Sequence, residues 1–240
     1  ALQDTQWRRS SLYIARLARC DLARADLSGA ALRLAAVSEC RLDEASLAGA
    51  DLESAVFDQS SMADVNAEDA IWTLTTVFKC RFDGLRWARS RMRQASFCRT
   101  ALTGRSFAEV EFEACQFTQT DLSGSNLAGA SIARCNFSES DLGGCDFRRA
   151  RAPQALFCSV RGEQVDFSGA NLREARFNQA QLPAARFDLA DLFQCHFGAA
   201  KLNRASFQQA DLGYADFSHA ALTDADARAA QMFRPRLPQT

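Results

Sequence analysis

Residues 166–180 read DFSGANLREARFNQA, and their apolar side chains keep a beat of five. Phe167, Leu172 and Phe177 fall five apart, and Ala170, Ala175 and Ala180 follow three residues behind. An α-helix repeats every 3.6 residues and a strand every two, so neither accounts for the spacing. The beat runs through the chain. From Trp7 to Leu222 every fifth residue forms a series of 44 positions, and only Ala67, Ala152 and Gly162 lack a large apolar side chain. The residue two before each centre is usually Ala, Cys, Ser or Thr, and the one just before is often Asp or Asn, as at Asp21, Asp121, Asn126 and Asn171. A phase held over that length is a repeat architecture.

A unit that turns inward twice, once with a small and once with a large residue, leaves three positions outside. Eight of the twelve glycines stand two after a centre, where a corner with positive φ, as in a type II turn, would select them. Asp or Asn before the centre can bond nearby amides and hold the bend. Such a chain winds as a solenoid whose coils pair like strands of a sheet. Phenylalanine recurs every twenty residues from Phe97 to Phe217, and a second ladder runs Phe147, Phe167, Phe187, Phe207. Four units per coil puts the two ladders on opposite sides, with Leu on the others and equivalent rings stacked at about 4.8 Å. A ten-residue alternation alone also allows two sides.

ADLSG (25–29), ADLES (50–54), TDLSG (120–124), SNLAG (125–129), ANLRE (170–174) and ADLGY (210–214) resemble the A(D/N)LXX signature of pentapeptide-repeat proteins. That resemblance implies an all-β, right-handed quadrilateral β-helix of about eleven coils, a rod on the order of 50 Å at the strand spacing. The Phe/Leu alternation stops after Leu222 and FRPRLPQT (233–240) carries two prolines that disrupt strand pairing, so the chain divides into a β-helix over 1–222 and a C-terminal cap or tail over 223–240. Residues 60–90 and 150–165 depart most from the pattern, although the unbroken phase argues against an insertion. The family shares its fold and differs in what it touches. Some members mimic DNA and bind type II topoisomerases such as gyrase, giving quinolone resistance; others accompany secretion systems as effectors or adaptors.

The composition fits a packed protein without a membrane span: 48% of residues are hydrophobic, yet no long apolar run occurs. The N-terminus lacks a signal peptide's apolar centre, and a start at Ala1 suggests a processed chain or a fragment. A net charge of −1 argues against a globally basic nucleic-acid binder. Nine cysteines without CxxC spacing signal neither a disulfide framework nor a zinc site. Most occupy the small inward slot and read as buried thiols of a reducing, cytoplasmic setting, with a secreted effector as the other option. Stacking of Cys20 on Cys40 and Cys115 on Cys135 would bring their Cα atoms within disulfide range. His196 and His219 read as solvated surface residues. No catalytic, metal or cofactor site is expected.

Charge is segregated along the chain. Residues 39–69 carry nine acids against Arg41 alone, and residues 79–105 carry eight bases (Lys79, Arg81, Arg86, Arg89, Arg91, Arg93, Arg99, Arg105) against Asp83 alone. On a four-sided coil both groups encircle the solenoid, and a basic belt interrupts any continuous DNA-like negative stripe. Two places after successive centres of one side stand Ile14, Leu34, Ser54 and Leu74, with Tyr13 and Ile71 nearby. Large aliphatics in an outward column suggest a contact for a partner protein, or cover by the chain's own terminus. The sequence thus predicts a non-enzymatic bacterial interaction scaffold with Tyr13, Ile14, Leu34, Ile71 and Leu74 as candidate interface and the basic belt beside it. The expected partner is a protein rather than DNA, and a homodimer through a terminus is a further option. A DNA-mimicking gyrase binder and a secretion-linked adaptor are the alternatives.

Overall fold

The computed structural model describes residues 2–107 and 110–238. These divide into two compact units, Ala1–Leu102 with Glu109–Gln116, and Thr103–Ala108 with Phe117–Thr240. One hydrogen-bond rule builds both. The amide of a centre donates forward to the next coil, as Leu22 N–H does to the Arg41 carbonyl (2.7 Å), and the corner amide of Arg24 does the same to Asp43 (2.9 Å). The amide before the centre donates backward, Asp26 to Thr5 (2.9 Å). Parallel bridges therefore join residues twenty apart, such as Asp21 with Arg41 in the first unit and Asp166 with Arg186 in the second. Twenty residues of five-residue units make four sides per coil.

That rule does not use the amide just after a centre, and where Asp or Asn stands before the centre it accepts from that donor. Asp21 accepts from Ala23 N–H (3.2 Å), Asn126 from Ala128 (2.9 Å) and Asp141 from Gly143 (3.0 Å). The motif's Asp/Asn is thus a built-in cap for a leftover donor. Among the described residues the corner two after each centre has positive φ, whether it is Gly29 (64°) or Arg24 (57°), and Ala25 N–H closes the turn onto the Leu22 carbonyl (3.0 Å). Glycine is preferred there but most corners do without it. The left-handed conformation costs an ordinary residue roughly 1–2 kcal/mol, which the ladder on either side has to offset.

Among the described residues regular strands form only in the first unit. A five-stranded parallel sheet joins β1 (Arg16–Ala18), β2 (Ala36–Ser38), β3 (Val56–Asp58), β4 (Thr76–Phe78) and β6 (Ser96–Cys98), and β5 (Arg91–Arg93) pairs with β7 (Glu111–Glu113). None of the seven begins with Asp or Asn. About eleven coils are expected from the sequence, yet the continuous sheet joins only five. Elsewhere the same pairing is carried by isolated bridges, because tight turns interrupt the extended backbone.

The core follows the two inward slots. In the second unit Phe117, Phe137, Phe157, Phe177, Phe197 and Phe217 stack at 4.8–5.1 Å, and Phe147, Phe167, Phe187 and Phe207 form the second ladder at 4.8–5.1 Å. The ladders meet edge to face across the interior, Phe157 against Phe167 at 5.4 Å and 78°. Gly162, a centre without a side chain, sits between the buried Val160 and Val165, and a Cβ there would lie 2.8 Å from Val165. Bridges run unbroken through the irregular stretches, Ser61 with Arg81 and Leu156 with Arg176, so neither holds an insertion.

Candidate functional site

Corners are where side chains leave the solenoid, so an apolar corner residue is conspicuous. Ile14, Leu34 and Leu74 occupy one corner of the first unit at φ 57°, 58° and 56°, and are 54%, 52% and 49% exposed. Tyr13, beside Ile14, is exposed as well, and nothing described in the first unit lies over them. Ile71 differs. It occupies the slot before its centre, bridges Asp51 and Arg91, and is half-buried, so it borders the corner rather than crowning it.

One member escapes the sequence reading. Val56 opens β3, pairs with Ala36 and Thr76, and is exposed. With it, the five exposed large hydrophobic residues of the first unit all fall on this corner and the sheet beside it. Val56 stands in a slot where outward apolar residues are ordinary for a strand, and only the observation that this side is a true sheet singles it out.

The basic belt does wrap several sides. Arg81 bridges Ser61, Arg86 bridges Asn66 and Arg91 bridges Ile71, which are three different sides of the coil. Part of it is neutralised. Arg89 pairs with Asp69 (2.9 Å) and Glu68 (3.4 Å), Arg93 with Glu113 (2.9 Å) and Arg81 with Asp83 (3.3 Å). The Arg89 hydrogen bond lowers the Asp69 pKa, so the pair stays charged over the ordinary pH range. Lys79 lies over the Phe78 ring at 5.2 Å, and the Arg99 guanidinium approaches the same ring at 5.8 Å.

A second surface cluster belongs to the other unit. Arg173 stacks on Phe193 at 4.3 Å, Phe193 meets Tyr214 at 5.5 Å, and Tyr214 meets Phe233 at 5.2 Å. Gly213 is buried beneath Phe193, where a Cβ would come 3.0 Å from the ring. The signal was in the sequence: of eighteen phenylalanines only Phe78, Phe193 and Phe233 lie off the centre slots, and each carries a cation.

The remaining chemistry is structural. All nine cysteines are free thiols. Burial pushes Cys80 up to about 11 and Cys145 up to about 12, which suppresses the reactive thiolate. Cys145 and Cys195 donate to the Leu122 and Leu172 carbonyls (2.9 and 2.8 Å), a position that Thr75 fills with its hydroxyl. The small slot therefore selects a compact donor as well as a compact volume. His196 bridges Asp216 on the next coil, while His219 stands exposed on a neighbouring corner. Among the described residues no His, Cys, Asp and Glu group could hold a metal, and no helix is long and apolar enough to cross a membrane.

Comparison with known proteins supplies context. A model of the pentapeptide repeat region matches residues 110–187, and a model of pentapeptide repeats (8 copies) matches 38–71, 190–226 and 200–233. No match was found among curated protein sequences. Similar solved structures include HetL, a pentapeptide repeat protein involved in heterocyst differentiation regulation from the cyanobacterium Nostoc sp. strain PCC 7120. It is 22% identical, with 94% of this chain and 87% of that chain covered and a TM-score of 0.30. A pentapeptide repeat protein of the Arabidopsis thaliana thylakoid lumen is 29% identical over 45% of this chain and 70% of its own, with a TM-score of 0.23. QnrB1, a plasmid-mediated fluoroquinolone resistance protein, is 14% identical over 97% and 93%, with a TM-score of 0.25.

Proposed function

The chain belongs to the pentapeptide-repeat family, and from that premise we propose that this right-handed quadrilateral β-helix is a non-enzymatic scaffold binding a protein partner through Tyr13, Ile14, Leu34 and Leu74, with Ile71 at their border. One observation carries the reading. Three large aliphatics hold a left-handed corner at φ 56–58° while remaining about half exposed. Stability favours neither choice, since glycine suits the corner and a polar residue suits the water. Covered by a partner, each would contribute up to roughly 1.5–3 kcal/mol.

The belt of Lys79, Arg81, Arg86, Arg89, Arg91, Arg93 and Arg99 flanks the corner and would steer an acidic partner, more strongly at low salt. The nine free thiols suit a reducing cytoplasm. The test is affinity capture from the native host with two baits, the natural chain and Leu34→Ser/Leu74→Ser. A partner retained by the first and lost by the second, at unchanged circular dichroism, supports the proposal. A partner held equally by both refutes this interface. Inhibition of gyrase supercoiling by the purified chain would assign the alternative topoisomerase-binding function instead.

A further inference from the structure

Resting on that reading, the geometry points to a definite kind of partner: an amphipathic helix of another protein, laid along the β1–β4–β6 sheet face, with its apolar stripe over Val56 and the Leu34–Leu74 ridge and carboxylates along its borders. The face is unlike its neighbours. Of the ten residues flanking the inward centres of those five strands, only Arg16 and Asp58 are charged. The adjoining side carries Asp21, Arg41, Asp43, Arg81 and Asp83 in the same slots. It is also the side where five consecutive coils keep regular strand geometry, so it is a continuous sheet. A helix packs its apolar stripe on such a surface.

The dimensions match a short helix. Five strands at about 4.8 Å span about 19 Å, the length of roughly thirteen helical residues. The ridge of Ile14, Leu34 and Leu74 edges the face on one corner, and Phe78 with Lys79 edges it on the other. Charge then chooses the occupant. Arg16 at the first strand and Lys79 beside the fourth make no ion pair among the described residues. Asp58, the one acid on the face, accepts from the Gln59 amide through Oδ2 (3.2 Å) and keeps its negative charge, which leaves the borders of the face as the place for an occupant's carboxylates. A second copy laid antiparallel would bring Arg16 of one chain toward Lys79 of the other, setting like charges together. A helix with bordering carboxylates meets both cations.

The probe is a fluorescein-labelled helical peptide of about fifteen residues with a Leu stripe bordered by Glu, and its counterpart bordered by Lys, each titrated into the full chain by anisotropy. The Glu-bordered peptide should bind, and the Lys-bordered one about fivefold more weakly. Val56→Glu should weaken the Glu-bordered peptide about tenfold or more, and Lys79→Glu should abolish or reverse the preference. Circular dichroism confirms that each variant is folded. Equal binding of the two peptides, or binding indifferent to Val56→Glu and Lys79→Glu, overturns the inference. Loss of binding in Leu34→Ser/Leu74→Ser alone, with Val56→Glu and Lys79→Glu unaffected, keeps the corner as an interface and overturns the sheet face. Absence of peptide binding with a concentration-dependent doubling of mass would make a second copy the occupant and overturn it equally.

Discussion

Phe157 and Phe177 lie face to face on consecutive coils, 4.8 Å apart and 9° from parallel. Phe157 also stacks on Phe137 at 5.1 Å and meets Phe147 and Phe167 edge-on at 5.7 and 5.4 Å. Its truncation leaves a cavity that coils held by backbone ladders cannot close. Phe157→Ala should therefore cost about 3–5 kcal/mol, read from denaturant unfolding. Glu163, outward and exposed on the following unit, should tolerate Ala with a loss of roughly 0.5 kcal/mol or less. Comparable losses at the two positions would contradict the inward register.

Ile14 tests whether the exposed corner is kept for stability or for contact. A β-branched residue at φ 57° carries strain that glycine does not. Relief of that strain competes with the entropy glycine adds to the unfolded chain, roughly 0.5–1 kcal/mol. Ile14→Gly should leave the melting temperature unchanged or raise it slightly, while weakening partner binding. A fall of several degrees would show that the side chain packs within its own chain.

The period, the inward register and the ring stacking were legible because each five-residue unit obeys the same rule, so numbering alone places Phe157 over Phe137. The Ile14–Leu34–Leu74 corner followed from the same arithmetic. The sheet face did not. Whether a side becomes strand or a run of tight turns depends on the whole unit, since several sides lacking Asp or Asn before the centre, such as those of Ser61 and Arg151, still turn. Phe193 over Gly213 also needed three dimensions, because a missing Cβ on one coil makes the room that a ring on the previous coil fills.

Acid sensitivity should trace to ion pairs that bind one coil to the next. Asp21 accepts from Arg41 Nε and Nη2 (3.0 and 2.8 Å) and from Ala23 N–H, and the Arg41 hydrogen bond is the chief cause of a pKa lowered to about 2. A carboxylate lowered in the folded state adds stability above its unfolded value of 3.8, and that stability is lost as pH falls toward 2. Asp21 is solvent-accessible, so screening keeps the effect small. The melting difference between the natural chain and Asp21→Asn should be present near neutral pH and shrink between about pH 4 and pH 2. A difference that is constant down to pH 2 would remove Asp21 from the acid transition.

The C-terminal stretch should close an end that the preceding coil cannot leave bare. Residues 223–238 wind on as a further coil, with Asp226, Gln231 and Arg236 bridging Ser206, Asp211 and Asp216; residues 239–240 of the segment lie outside the described residues. The inward residues of this coil are small or exposed: Ala227 fills a centre, and Met232 and Leu237 stand 47% and 54% exposed. Together with Phe207, Leu212, Phe217 and Leu222 they line an apolar hollow of about 150 Å³. From outside, Tyr214 holds Phe233 edge-on at 5.2 Å, which ties the last coil to the one before. Removing 223–240 would uncover Phe207 and Phe217, each worth roughly 1.5–3 kcal/mol of apolar burial, and free the ladder edge of residues 206–216 for pairing with other chains. The truncated protein should melt lower and scatter light as it aggregates. If it instead remains soluble at unchanged mass and melting temperature, the segment is a dispensable tail, and the solenoid ends at Leu222 without it.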